Sequence, residues 1–184
     1  MRESAGKKMR RTYEIIHRDA AIVAVNKPSG LAVLPGRGRK ENLLEVLATD
    51  MGCRPLMVHR LDADTSGVML FAMTAEAQQA LSEQFRLRTI TKEYLALVRG
   101  APLHESGSVD LPIGHDPGDK NRMVIRGKGG GEEPKKARTK WVAVERFAGA
   151  EGAAVTLLKV YPVTGRRHQI RVHLKAIGYP LAVD

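Results

Sequence analysis

The apolar positions of this chain follow two rhythms, and each predicts its own elements. Alternation is the first. In TKEYLALVR, residues 91–99, Tyr94, Ala96 and Val98 fall on one side and Leu95 and Leu97 on the other, the period of a strand. YEIIHRDAAIVAVN, residues 13–26, reads as two short strands around a His-Arg-Asp turn. PLMVH (55–59) and GVMLFAM (67–73) are apolar and bounded by turn residues, which predicts two buried strands. Two more strands are expected near 138–147 and 153–161. The second rhythm is helical. Asn42 can cap LLEVLATDM, which stops before Gly52. Thr74 can cap AEAQQALSEQFRLR, with Ala77, Ala80, Leu81, Gln84 and Phe85 on one face. In HQIRVHLKAIG, Ile170, Leu174 and Ile177 are spaced for a helix that Gly178 ends.

The segments between these elements are turns and loops. KPSG (27–30) has Pro and Gly placed for a turn, LAVLPGRGRK ends in a basic loop, and GKGGGEEPKK (127–136) reads as a floppy loop. Residues 1–12 are basic and unpatterned, a flexible tail ahead of one domain, 13–184. Several strands with about three helices and no internal repeat place the chain in the α+β class.

Composition narrows the function. Hydrophobic residues make up 43%, enough for a packed core, yet aromatics are only 4%, so aliphatic side chains must fill it. No apolar run approaches the roughly 20 residues of a membrane helix, so no membrane association is expected. The single cysteine, Cys53, has no internal disulfide partner, which suggests a reducing, cytoplasmic setting. Thirty Lys and Arg against 20 Asp and Glu give a net charge of +10, a balance that favours nucleic acid as partner.

Familiar cofactor and metal patterns are missing. The histidines of the last helix, His168 and His173, are spaced i, i+5, not the i, i+4 of a shared ligand face. GKGGG lacks the flanking residues of a phosphate loop. What remains is an acid among arginines. HRLDADTSG (59–67) has the residues of an ordinary turn but opens with His59 and Arg60, which no turn requires. Asp62 follows closely, and Arg166, Arg167 and Arg171 cluster around His168. A desolvated, oriented carboxylate is a usable nucleophile when an arginine keeps it ionised. The bland reading makes Asp62 a turn residue, Tyr94 a cross-strand aromatic and Arg171 a solvated helix residue.

Three segments taken together favour the chemical reading. HRLDADTSGVMLFA (59–72), TKEYLALVRG (91–100) and GRRHQIRVHLKAIGYPL (165–181) resemble, in order, the three motifs of the RluA family of RNA pseudouridine synthases. VAVNKPSGLAVLPG (23–36) and LPIGHDPGDKNRMVI (111–125) resemble stretches that neighbour those motifs. The resemblance implies a mixed, mainly antiparallel sheet with flanking helices and a central RNA-binding cleft. It implies isomerisation of uridine to pseudouridine in ribosomal or transfer RNA, without cofactor or metal. Asp62 matches the catalytic aspartate, and Arg60 the arginine that fills the space left by the flipped base. Tyr94 matches the tyrosine that stacks on the uracil, and Arg171 the basic residue that pairs with the carboxylate. Asp64 is then expected to cap the turn. The resemblance also implies that the chain lacks the small RNA-binding domain of larger members and the strands that follow the third motif, Val183 standing where the family has Gly. No protein partner is implied, and a monomer is expected. A catalytically inactive RNA-binding domain of the same fold, and a glycosidic hydrolase needing a second carboxylate, are the alternatives.

Overall fold

A computed structural model describes residues 13–35, 41–148 and 154–182. The tail at 1–12 and the basic residues 36–40 expected from the sequence lie outside them. The chain divides into two compact units, Met1–Thr89 and Ile90–Asp184.

The first unit is a four-stranded antiparallel sheet with two helices. Its strands are β1 (Glu14–Arg18), β2 (Ile22–Lys27), β3 (Leu56–Met57) and β4 (Gly67–Ala72), ordered β1-β2-β4-β3. Asp19 closes the β1–β2 turn by accepting from the Ala21 and Ile22 amides, both at 2.7 Å. The hydrogen bond with the His17 ring, and then those two amides, lower its carboxyl pKa to about 2. The register sets Val23 opposite Phe71 and Val25 opposite Met69, and all four are buried. Helix α1 (Leu43–Met51) starts where Asn42 accepts from the Glu45 amide, and it buries Leu43, Leu44 and Leu47. Helix α2 (Ala75–Leu87) starts at Thr74, as the capping pattern predicts. Its inner face is Ala77, Gln78, Leu81 and Phe85; Ala80 and Gln84 are exposed, a correction of one helical step. The expected strand over 55–59 shrinks to two residues, because His59 leaves the ladder for another bond described below.

The second unit holds another four-stranded antiparallel sheet, ordered β5-β10-β9-β6, with β5 Tyr94–Arg99, β6 Ser106–Asp110, β9 Arg138–Ala148 and β10 Ala154–Pro162. A separate hairpin pairs β7 (Ile113–His115) with β8 (Met123–Ile125). The alternation of 91–99 is seen directly: Ala96 and Val98 are buried, Leu95 and Leu97 exposed. Helix α3 (Gln169–Ala176) adds Leu174 to a core of Ala96, Val98, Val109, Trp141, Leu158 and Val160. Each such side chain contributes about 1.5–3 kcal/mol by leaving water. Gly178 at φ +88° ends α3, with its amide on the Lys175 carbonyl and the Tyr179 amide on that of Leu174.

Residues 127–136 depart in part from the expected floppy loop, although Lys128, Gly131, Glu132, Glu133, Lys135 and Lys136 are exposed. Gly127 and Gly129 are buried, Gly129–Gly131 forms a single 3₁₀ turn, and Lys135 exchanges two backbone bonds with Ile113. A Cβ on Gly114 would stand 1.9 Å from the Gly127 carbonyl oxygen. Glycine is present there for close main-chain approach rather than for freedom.

Candidate active site

The loop between β3 and β4 carries Arg60 and Asp62, and it is pinned at both ends and in the middle. At its start, the His59 ring stacks on Phe85 with centroids 4.6 Å apart, and Nε2 accepts from the Leu70 amide at 2.9 Å. An accepting Nε2 places the proton of the neutral ring on Nδ1. His59 is therefore a bracket holding the loop to β4, which answers why a turn should open with histidine. Leu61 next to it is buried.

In the middle, the Thr65 amide donates to the Asp62 carbonyl at 3.2 Å and closes a turn. The two residues after Asp62 are gripped by the KPSG turn. The Ala63 carbonyl accepts from the Gly30 amide at 2.9 Å and from Lys27 Nζ at 2.8 Å. Ser29 Oγ donates to the Asp64 carbonyl at 2.7 Å, so it is Asp64's main chain that serves the turn. Lys27 itself is fully buried and also donates to the Pro28 and Leu31 carbonyls, each at 2.8 Å. A cation can be buried only where such acceptors replace its water. Asp62 is half-buried in this frame and Arg60 is exposed. Gly67 then enters β4 at φ +126°, a backbone that favours glycine.

The other two predicted site residues belong to the second unit. Tyr94 opens β5 and packs, half-buried, against that unit's core. Arg171 lies on α3, half-buried, beside a cavity of about 540 Å³. What holds α3 is a buried polar network. Gln169 Oε1 accepts from the Thr164 hydroxyl at 2.6 Å and the Arg166 amide at 2.9 Å. Its Nε2 donates to the Arg138 carbonyl at 3.0 Å and Thr139 Oγ1 at 2.9 Å. Thr139 passes its proton to His173 Nδ1 at 2.8 Å, and His173 Nε2 donates to the Leu111 carbonyl at 2.9 Å. Only one assignment satisfies every partner: a neutral His173 protonated on Nε2. Burial pushes its pKa below the ordinary histidine value, in the same direction.

The bonding residues Lys27, Gln169 and His173 were missed by motif reading, yet each left a signal. Lys27 is in phase with Val23 and Val25 on a period-two strand, so it had to point inward. Gln169 and His173 are four apart beside Ile170 and Leu174, the inner face of a helix. The neighbouring Arg171 and Lys175, also four apart, stand on a different side of it. The HQIRVHLK segment thus interleaves a structural pair with a basic pair. Among the described residues no group of three or more His, Cys, Asp or Glu could hold a metal ion. No helix there is long and apolar enough to cross a membrane.

Comparison with known proteins gives a consistent result. The family model described as RNA pseudouridylate synthase matches residues 21–176. The chain is 42% identical over 177 residues to "Ribosomal large subunit pseudouridine synthase D" of Nitrosomonas europaea, covering 93% of this chain and 48% of that protein. It is 39% identical over 173 residues to "Dual-specificity RNA pseudouridine synthase RluA" of Vibrio vulnificus, covering 93% and 67%. An uncharacterized RNA pseudouridine synthase of Bacillus subtilis is 38% identical over 180 residues, covering 93% and 56%. The chain therefore spans about half to two thirds of the length of these relatives. Among solved structures, "Human RNA Pseudouridylate Synthase Domain Containing 1" superposes with a TM-score of 0.80 at 30% identity, covering 94% of this chain and 68% of that one. The fold is that of the pseudouridine synthases, and the chain belongs to the RNA pseudouridylate synthase family.

Proposed function

We propose that this protein is an RNA pseudouridine synthase in which Asp62 is the catalytic nucleophile, acting on uridines of ribosomal or transfer RNA. The observation that carries the reading is the loop itself. The backbone on either side of the Asp62 side chain is tied down by His59, Lys27, Gly30 and Ser29, while the carboxylate stays half-buried and reachable. A turn acid of no consequence needs no buried lysine beneath it. Enzymes place reacting groups on backbone held this way so that little reorganisation remains at the moment of reaction.

On this reading the carboxylate assists cleavage of the N1–C1′ glycosidic bond. The uracil turns over and its C5 joins C1′. The C5 hydrogen leaves to water and N1 takes up a proton, so atoms balance without oxidant or cofactor. The base must first leave its stack, which costs a few kcal/mol and least in an unpaired loop. Arg60, exposed on the same loop as Asp62, is suited to stacking in the vacated space and to contacting phosphate. Tyr94 offers a ring for the uracil, and Arg171 the basic partner that keeps a carboxylate charged. The +10 net charge supports a polyanionic substrate, and the cytoplasm is the compartment proposed.

The test is tritium release from RNA labelled at uracil C5. The protein should release tritium to water, and Asp62→Ala should abolish release while retaining RNA binding. RNA binding without release from either protein would sink the catalytic reading and leave a binding domain. Release of free uracil would point instead to a glycosidic hydrolase.

A further inference from the structure

The motifs do not account for the cavity of the second unit. It lies between the β7–β8 hairpin and the outer side of α3. Its apolar lining includes Met123, Val124 and Val172, all half-buried. Basic residues share the lining. Arg122 and Lys175 are exposed, one on the hairpin and one on the helix, and Arg171 is half-buried one turn before Lys175. The acid in the lining, Asp119, is engaged in its own turn, where its carboxylate accepts from the Asn121 amide at 2.8 Å. Arg122 is held by its backbone on both sides, donating to the Asp119 carbonyl at 3.0 Å and accepting from the Asp116 amide at 2.9 Å. Its side chain is 59% exposed and meets Asp116 only at 3.7 Å. Lys175 pairs with no acid among the described residues.

An apolar wall with basic residues beside it is complementary to one chemical unit, a nucleobase carrying its phosphate. A simple phosphate site would need no such wall, and an apolar ligand no such charge. We propose that this cavity binds an unpaired nucleotide of the RNA other than the uridine being isomerised, the phosphate on Arg122 and Lys175 and the base against Met123, Val124 and Val172. The proposal rests on the RNA-modifying reading above and adds to it a second point of grip, supplied by residues outside the quoted motif roles. Arg122 and Lys175 are then substrate-positioning residues. They fix where along the strand the reactive uridine falls.

The experiment uses the full chain, a single-stranded uridine-containing RNA of about 20 nucleotides for binding, and C5-tritiated cellular RNA for turnover. Two neutralised phosphate contacts on a single strand account for a slope of about 1.4 in log affinity against log salt. The double variant Arg122→Gln/Lys175→Gln should therefore lower the slope by about that amount and weaken binding about tenfold at about 0.15 M salt. Release at saturating RNA should be unchanged, and KM should rise. Lys140→Gln, one positive charge removed from an exposed strand position outside the cavity, should leave affinity within about twofold. Met123→Ala should weaken binding about threefold with the slope unchanged, the mark of lost base contact. An unaltered slope in the double variant overturns the proposal, whether or not the wild type releases tritium. A Met123→Ala protein that binds normally overturns the nucleotide pocket in favour of a bare phosphate contact. Wild-type tritium release decides the catalytic reading separately, because the binding arm requires no turnover.

Discussion

Gln169→Leu tests whether the third motif is structural in its inner half. The side chain is 4% exposed and leucine has a similar volume, so neither cavity nor overpacking complicates the change. Four hydrogen bonds are lost. The two hydroxyls keep other bonds: Thr139 still donates to His173, and Thr164 still accepts from the Arg138 amide at 3.1 Å. Of the two main-chain groups, the Arg138 carbonyl keeps the Val163 amide at 2.9 Å, and the Arg166 amide loses its acceptor. At about 1–3 kcal/mol for the stranded amide, with a smaller sum from the other three bonds, the loss is about 3 kcal/mol. A domain has only about 5–15 kcal/mol in total. Thermal unfolding followed by far-ultraviolet circular dichroism should show this, with Tm falling by roughly 6–12 °C for a chain of this size. Lys175→Gln, an exposed position on the same helix, should shift Tm by less than about 2 °C, since surface substitutions change stability by about 0.5 kcal/mol or less. A Gln169→Leu loss below about 1 kcal/mol would refute the network as the device that holds α3.

Two further outcomes follow from the buried groups. His173 is neutral in the fold with its pKa lowered, so between its folded and unfolded pKa values the unfolded chain binds more protons. Its contribution is complete above about pH 6.5 and is lost as pH falls through the folded value. Urea midpoints measured from pH 7.5 to 5 should drop, and His173→Gln should flatten that drop; an unchanged slope would contradict the assignment. Lys27→Met removes the donor from the Pro28 and Leu31 carbonyls, whereas Ala63 keeps its bond from Gly30. Two stranded carbonyls, offset by relief of a buried charge, give a net loss of about 2 kcal/mol. Tritium release should fall further than the folded fraction does, and full activity in a destabilised protein would show that the Asp62 loop needs no such tether.

The elements that could be read from the sequence were those whose pattern was local. Both capped helices begin where Asn42 and Thr74 place them, and the 91–99 alternation gives β5 with its buried side correct. Reading failed where the deciding partner is distant in sequence. PLMVH loses its strand because His59 bonds Leu70, eleven residues on. GKGGG looked loose because glycine signals freedom, whereas at Gly127 and Gly129 the closeness of Gly114 and Asp116 shows that it signals proximity. β6, with the sequence SGSVD, has one buried apolar residue and pairs with β9 over thirty residues away, so no periodicity announced it. The motif residues were legible as a set. Their division into tethers and outward-facing groups was not, since Gln169 and Arg171 are both polar and only burial separates them.

The tethers beneath Asp62 also bear on entropy. Ordering one residue's backbone costs about 1–2 kcal/mol, so confining residues 59–66 costs on the order of 10 kcal/mol. Lys27, Ser29, Gly30 and His59 place that cost in folding, where the hydrophobic core offsets it. On the proposed function, an RNA arriving at a loop already in its working shape can direct its binding energy to unstacking the uridine. The lysine that never meets the substrate thereby contributes to how much of the substrate's affinity is left for the chemistry.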